Sequence, residues 1–275
     1  MPVAYEWLMP LAPWEPAERL LKALESLCHQ TWPARRLIVS VDGLLSDQLA
    51  QVLHHAALPV FVLESPSWQG TGPTLAAGLL ECQCDWVLRA DADDRSSPYR
   101  AERQLRHLLD HPHLAVLGCQ LSEISNMNRL VALRRVPLRP QAVTRMLSWR
   151  NPINHPTVAL NRQKVLLAGS YRATLGFEDW DLWLRLNRQG LVLANLPDIL
   201  VTAEVGKEHL KRRHGLSYVK REFDFLFRCH KEHLIPAWKL VLLMLARLPL
   251  RLLPTFVLAN VMSVLRPRMR FESDR

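Results

Sequence analysis

Residues Asp85-Trp86-Val87-Leu88-Arg89-Ala90-Asp91-Ala92-Asp93-Asp94 decide how the chain is read. Trp86 to Leu88 is a short apolar run of the kind that buried strands carry. Three carboxylates follow it within four residues. Crowded carboxylates repel one another unless positive charge sits between them. An Asp-x-Asp at a strand end can aim oxygen ligands at one hard cation, Mg2+ or Mn2+, which keeps positions open for phosphate oxygens. The competing reading is a plain polar turn, because Asp-rich loops are common.

On the N-terminal side the same pattern repeats. The spacing predicts a helix over 17–28, with Pro16 suited to its start and Leu20, Leu21, Leu24, Leu27 and Cys28 on one face. Residues 37–41 read as a buried strand closed by Asp42-Gly43, 46–56 as helix, 59–63 as strand and 74–81 as helix after a turn at Gly70 to Gly72. Beyond the acidic run, Ser97-Pro98 opens a helix with Leu105, Leu108 and Leu109 inward. Such alternation predicts an α/β fold, a mostly parallel sheet flanked by helices on both faces. In such sheets ligands bind outside the carboxyl ends of the strands, and Asp42 and Asp91 both fall there. Further on, 114–119 reads as strand, 151–160 contains another, and 191–195 a third. Residues 178–189 read as a helix with Leu182, Trp183 and Leu186 inward and Gly190 as its stop.

That last helix begins Glu178-Asp179, with Asp181 close behind. Carboxylates at a helix start can simply cap free N–H groups and complement the dipole. They can also serve as a general base aimed at a bound hydroxyl. Asp42-Gly43 has a turn reading, and His155, between Asn154 and Pro156, a structural one. Lys211-Arg212-Arg213-His214 reads as a solvated face, or as a clamp on a pyrophosphate. No Walker A loop, dinucleotide glycine motif, zinc-protease helix motif or serine-hydrolase elbow occurs, so those classes drop out.

The 275 residues are 49% hydrophobic and 22% charged, which is globular composition. Five cysteines without paired spacing argue against a disulfide framework or zinc quartet and for reduced thiols. The net charge of +9 is unevenly placed. Residues 205–275 hold 15 Lys/Arg and 6 Asp/Glu, whereas residues 1–204 hold 20 of each. A neutral body with a basic tail argues against nucleic acid as the partner and for an anionic membrane surface. Lys239, Arg247 and Arg251 break every window that could span a bilayer, so the tail from 234 is expected to lie in the interface as amphipathic helix. The bland alternative is a helix packed on the domain. With no Lys or Arg before Arg19 and no long apolar opening, a signal peptide is not expected.

Taken in order over about residues 5–205, these pieces resemble a family-2 glycosyltransferase with the GT-A (Rossmann-like) fold, of the bacterial branch that builds O-antigen, capsule or exopolysaccharide. The matching stretches are Leu8-Met9-Pro10, Ser26 to Thr31, Ile38 to Gly43, Arg89 to Asp94, Asn154 to Thr157, Gly169-Ser170-Tyr171, and Glu178 to Leu186. The resemblance implies that Pro10, Asp42, Arg89 and Asp91 line the nucleotide-sugar site and that Asp93, with Asp91, holds Mn2+ or Mg2+. It implies Asp179 as catalytic base with Glu178 beside it, and His155 and Trp180 on the acceptor side. Three positions depart from the family pattern: Val41 replaces the first acid of the pair before Gly43, Leu11-Ala12-Pro13 replaces an aromatic and Asn, and Leu75-Ala76 replaces Arg-Asn.

The implied division is a GT-A domain at 1–205, with a nucleotide-sugar half at 1–119 and an acceptor half at 120–205, and a basic amphipathic helical tail at 206–275. The implied reaction is inverting transfer of a sugar from a nucleotide sugar, typically UDP-linked, to a hydroxyl of a lipid-linked or polysaccharide glycan. The implied location is the cytoplasmic side, peripheral on the inner membrane face. A sugar nucleotidyltransferase would need a glycine-rich N-terminal loop with Arg and Lys, which residues 8–16 lack. A catalytically weak sugar-nucleotide binder stays as the non-enzyme alternative, and a glycoside hydrolase would use two carboxylates without metal or nucleotide.

Overall fold

The computed structural model describes residues 3–125, 127–205 and 215–252. The chain divides into two compact units, Met1–Val205 and Gly206–Arg275.

The first unit opens with β1 (Tyr5–Leu11), α1 (Ala17–Cys28), β2 (Leu37–Val41), α2 (Asp47–His54), β3 (Val60–Glu64), α3 (Thr71–Glu81) and β4 (Trp86–Arg89). It continues with β5 (Asp94–Ser96), α4 (Arg100–Asp110), β6 (Leu114–Ile124), β7 (Leu130–Arg134), α5 (Pro140–Leu147), a 3-10 turn (His155–Thr157), β8 (Ala159–Asn161), α6 (Arg162–Leu167), α7 (Glu178–Arg188) and β9 (Val192–Glu204). One sheet runs in the order β3-β2-β1-β4-β8-β6-β9-β5, with β7 beside β6. β1 to β4 are mutually parallel, as is β6 with β9. β8, β5 and β7 join antiparallel. The sheet is therefore parallel in its first half and mixed in its second.

Alternation in the parallel strands sets the two layers. Trp7, Met9, Leu11, Leu37, Val39, Val41, Trp86 and Leu88 join Leu20, Leu24 and Leu27 of α1 and Leu105 and Leu108 of α4 in one core. The opposite face takes α3. There Gly78 lies so close to Leu8 and Ser40 that a Cβ would sit 2.5 Å from the Leu8 side chain, and the Ser40 hydroxyl donates to the Thr74 carbonyl at 2.7 Å. A sheet covered on both faces explains why the runs at 37–41 and 86–88 are apolar apart from Ser40, which is itself buried and hydrogen-bonded.

Several expectations need correction. Leu21 and Leu109 point outward (46% and 52% exposed), and Cys28 is only half-buried. The strand expected at 114–119 runs on to Ile124. β9 likewise extends well past residue 195. The register between β6 and β9 shifts three times, and buried amides tie this half of the sheet to the loops around it. Gln104 donates to Leu117 and Thr157, Gln120 to Leu196 and Val136, Asn154 to Cys119 and Arg134, and Asn195 to Pro137 and Pro152.

The second unit contains α8 (Leu216–Lys231) and α9 (Ala237–Leu252). Glu222, fully buried on α8, pairs with Arg247 of α9 at 2.6 Å. Trp238, Val241, Leu242 and Leu245 form an exposed apolar row along α9 at helical spacing, and Phe223 and Phe227 are exposed on α8. Lys239 sits over the Trp238 ring and Lys231 over Phe227. No helix among the described residues is long and apolar enough to cross a membrane. The Lys211 to His214 run and residues 253–275 lie outside the described residues.

Candidate active site

The order β3-β2-β1-β4 reverses direction beside β1, and the crevice at the carboxyl ends of these strands is where such sheets bind ligands. Five candidate residues stand at those ends. Pro10 is near the end of β1, where it costs no ladder bond because β4 pairs β1 only as far as Leu8. Asp42 follows β2, Arg89 ends β4, and Asp91 and Asp93 lie between β4 and β5.

Asp42 is buried and uses both oxygens on the chain itself. Oδ1 accepts from the Gln69 amide at 2.6 Å and Oδ2 from the Gly70 amide at 2.9 Å. Gly70 is the N-cap of α3 at φ +91°, a conformation that glycine adopts without strain. The carboxylate therefore pins the loop that launches α3. The simple turn reading of Asp42-Gly43 missed this, because the bond partners lie 27 and 28 residues away.

Arg89 is the positive charge that the acidic run requires. Buried at the end of β4, its guanidinium grips Asp91 with both terminal nitrogens. Burial, then the Asp91 charge, pushes Asp93 up to about 6. The same causes, with Asp93 added, hold Asp94 well above the usual carboxylate range. Asp94 begins β5 with Oδ2 buried and unpartnered. The three polar residues of β5, Asp94 to Ser96, carry no strand pattern.

The second acidic group arrives from α7. The Asp179 Oδ1 accepts from the Trp180 amide at 2.7 Å, and Oδ2 accepts from the Asn151 side-chain amide. Glu178 Oε2 accepts from Gly176 N–H at 2.9 Å. Burial, then the Asp179 charge, pushes Glu178 up to about 7, while Arg89 opposes the rise. Trp180 is buried, and its indole N–H donates to the Leu147 carbonyl at 2.7 Å, so it anchors α7 and presents no open face to a ligand. Asp181 is fully buried in an ion pair with Arg185.

Tyr171 links the two groups. Its hydroxyl lies 3.1 Å from His155 Nε2. Burial raises its phenol far above the ordinary value, and the charges of Asp179, Glu178 and Asp91 add to that while Arg89 opposes it. Burial and then Arg89 hold half-buried His155 well below its usual value, so it stays neutral. Asp91, Asp179, Glu178, Tyr171 and His155 thus share one electrostatic neighbourhood around Arg89. Two acidic segments about 85 residues apart in sequence converge there.

Among the described residues, no group of three His, Cys, Asp or Glu side chains could hold a metal unaided. The donor set suits a cation shared with a ligand instead. Asp91 is neutralised by Arg89, while Asp93 has no ion pair among the described residues and Asp94 keeps an orphan oxygen. One or two hard oxygens with the remaining positions left to phosphate is how Mg2+-type ions are usually held.

A parallel 3-2-1-4 half, an Asp-x-Asp after its central strand and an acidic helix start facing it define a GT-A glycosyltransferase. Solved structures with this fold include Staphylococcus aureus TarS 1–349 in complex with UDP-GlcNAc. It has TM-score 0.62 and 15% identity, over 82% of this chain and 66% of that one. Mannosyltransferase PcManGT from Pyrobaculum calidifontis, in complex with GDP-Man and Mn2+, matches at TM-score 0.60 and 17% identity, over 95% of this chain and 79% of that one. The chain belongs to glycosyl transferase family 2, whose pattern matches residues 15–168. That span contains Asp42, Asp91, Asp93 and His155 and ends before α7. A glycosyltransferase of Haemophilus influenzae is 38% identical over 219 residues, 78% of this chain and 81% of its own. The amylovoran biosynthesis glycosyltransferase AmsE of Erwinia amylovora is 35% identical over 76% of this chain and 79% of its own. An Escherichia coli UDP-Gal:alpha-D-GlcNAc-diphosphoundecaprenol beta-1,3-galactosyltransferase is 28% identical over 86% of each chain. The protein is a glycosyltransferase.

Proposed function

We propose that the protein transfers a sugar from a UDP-linked donor, with inversion, to a hydroxyl of a glycan carried on a polyprenyl-diphosphate lipid. The observation that carries this reading is the convergence of Asp91–Asp94 and Glu178–Asp179 on Arg89 and Tyr171, at the carboxyl ends of the parallel strands. The donor class is supported by the UDP-GlcNAc bound to TarS and the UDP-Gal named for the E. coli relative. The acceptor class is supported by that relative's diphosphoundecaprenol substrate.

Pro10, Asp42, Arg89 and Asp91 form the donor wall. Asp42 shapes that wall through the loop it pins, and Arg89 holds Asp91 in place with both terminal nitrogens. Asp93, with the free oxygen of Asp94 nearby, would hold Mn2+ or Mg2+ on the donor diphosphate. When bound, that cation offsets charge on the departing group. Asp179 takes the proton from the acceptor hydroxyl, a poor nucleophile near neutral pH, and such general base catalysis contributes about 10²–10⁴-fold. Neutral His155, held against Tyr171, offers a ring edge to the acceptor side. Trp180 fixes the angle of α7 there by packing.

The α8–α9 pair places exposed aromatic and aliphatic side chains beside lysines, as helices lying in a membrane interface do. This supports a peripheral position on the cytoplasmic leaflet, near a lipid-borne acceptor.

The test is Asp179→Asn assayed for UDP release from a panel of UDP-sugars with Mn2+, alongside calorimetric UDP binding. Retained binding with turnover down at least about 10²-fold is expected. Wild-type turnover in the variant would remove Asp179 as the base.

A further inference from the structure

Asn151 lies between α5 and the His155–Thr157 turn, where nothing in its sequence context marks it as functional. Its side chain is fully committed. The Asn151 Oδ1 accepts from the Ile153 N–H at 3.1 Å, and its NH2 donates to Asp179 Oδ2. The Ile153 bond fixes the direction of the amide, because only the NH2 end is left for Asp179. The segment is held from behind, with Asn195 donating to the Pro152 carbonyl at 3.1 Å and Ile153 buried. Asp179 therefore meets one donor from its own helix, the Trp180 N–H, and one from a separate element. Two donors on different sides fix the carboxylate plane.

We propose that Asn151 is the positioning residue for Asp179, orienting its carboxylate toward the cleft and stabilising the ionised form that accepts the acceptor proton. This rests on the reading of Asp179 as base. A donor to a carboxylate favours its charged state. Among the described residues, Glu178 on the same helix and Tyr171 on the loop before it lie within electrostatic reach of Asp179. Arg89 of β4 acts on both of those neighbours. On the Asn151 side the adjacent charge is Arg150, whose Nε donates to Met146 Sδ at 3.1 Å. Glu178 works against ionisation of Asp179, so a fixed neutral donor opposite it has something to counter.

The near-isosteric Asn151→Asp replaces the donor by a second acceptor, and Asn151→Ser removes the contact without adding charge. Wild type, both variants and Asp179→Asn are compared by the pH dependence of kcat, the donor KM and the melting temperature. For Asn151→Asp the acid limb of kcat should move up by roughly one pH unit, so that on that limb kcat at a given pH falls about tenfold and recovers at higher pH, with donor KM within about threefold. Asn151→Ser should lower kcat with KM preserved. A wild-type limb and kcat in both folded variants overturns the proposal, as does a uniform loss at every pH. If Asn151→Asp fails to fold, Asn151→Ser decides alone. Should Asp179→Asn keep turnover, it is the base reading that fails. An inactive Asp179→Asn beside Asn151 variants with wild-type profiles removes only the role of Asn151.

Discussion

Gly72→Ala tests the junction between the donor wall and the acidic helix. Gly72 sits in the first turn of α3, directly after the Gly70 cap that Asp42 pins. A Cβ there would lie 2.0 Å from the Arg172 carbonyl oxygen and 3.2 Å from Glu178 Cβ. Ordinary contact begins at 3.4 Å, so the nearer pair must separate by 3.4 − 2.0, about 1.4 Å. Both sides of that clash are backbone, and no flexible side chain can yield. The displaced segment carries Tyr171 and leads into Glu178 and Asp179. A misplacement of about 1 Å at reacting groups costs on the order of 10²-fold in rate. Overpacking adds about 1–3 kcal/mol of destabilisation, or roughly 2–12 °C in melting temperature for a domain of this size. The assay is kcat for UDP release together with a thermal melt. Gly190→Ala is the control: at φ +76° with no atom near its would-be Cβ, it brings strain without displacing the site. The expected pattern is a stability loss in both variants and a rate loss in Gly72→Ala alone. Equal, near-wild-type kcat in the two would refute the idea that this close approach sets the geometry of the acidic helix.

Other outcomes follow from the charges. Asp93, pushed up to about 6, must lose its proton to hold a cation, so Mn2+-supported UDP binding should weaken about tenfold per pH unit below 6, with proton release measurable by calorimetry in two buffers. Mn2+ titrated without nucleotide should bind only weakly, given the lack of a self-sufficient cage, and a tight nucleotide-free site would contradict this. Glu178 is raised from 4.5 to about 7, so the fold prefers its protonated form: that contribution is complete below pH 4.5 and disappears as pH rises through 7. Glu178→Gln should therefore raise the melting temperature at pH 8 and leave it unchanged at pH 4.5. The ceiling is about 3 kcal/mol, and partial exposure reduces it to about 1. Asp42→Ala strands two amides of the α3 loop and should cost about 2–4 kcal/mol in a denaturant titration, with weaker UDP binding.

The local patterns were legible where period and composition agree. α1, α7 and the parallel strands sit where apolar spacing put them, and the acidic strand end and acidic helix start meet in one crevice. Residues that act across the chain were not legible. Arg89 looks like one more residue of a strand, and its reach toward both acidic groups depends on β4 lying at the turning point of the sheet. Asn151 carries no titratable signal, and its partner is 28 residues distant. The resemblance puts Trp180 on the acceptor side, and the packing that turns its indole inward onto the Leu147 carbonyl has no signal in the local pattern. Leu21 and Leu109 were misplaced because each helix has more leucines than its buried stripe is wide. β5 escaped notice because its three residues are polar and form a strand only through β9.

The amides of Gln104, Gln120, Asn154 and Asn195 carry a consequence for how the protein ages. Each NH2 serves two carbonyls from separate segments. Spontaneous loss of ammonia at Asn154 or Asn195 would set a carboxylate against those oxygens, with no proton left to share. The loops around β6 and β9 should then loosen while the β1 to β4 half, which these amides do not brace, is still intact.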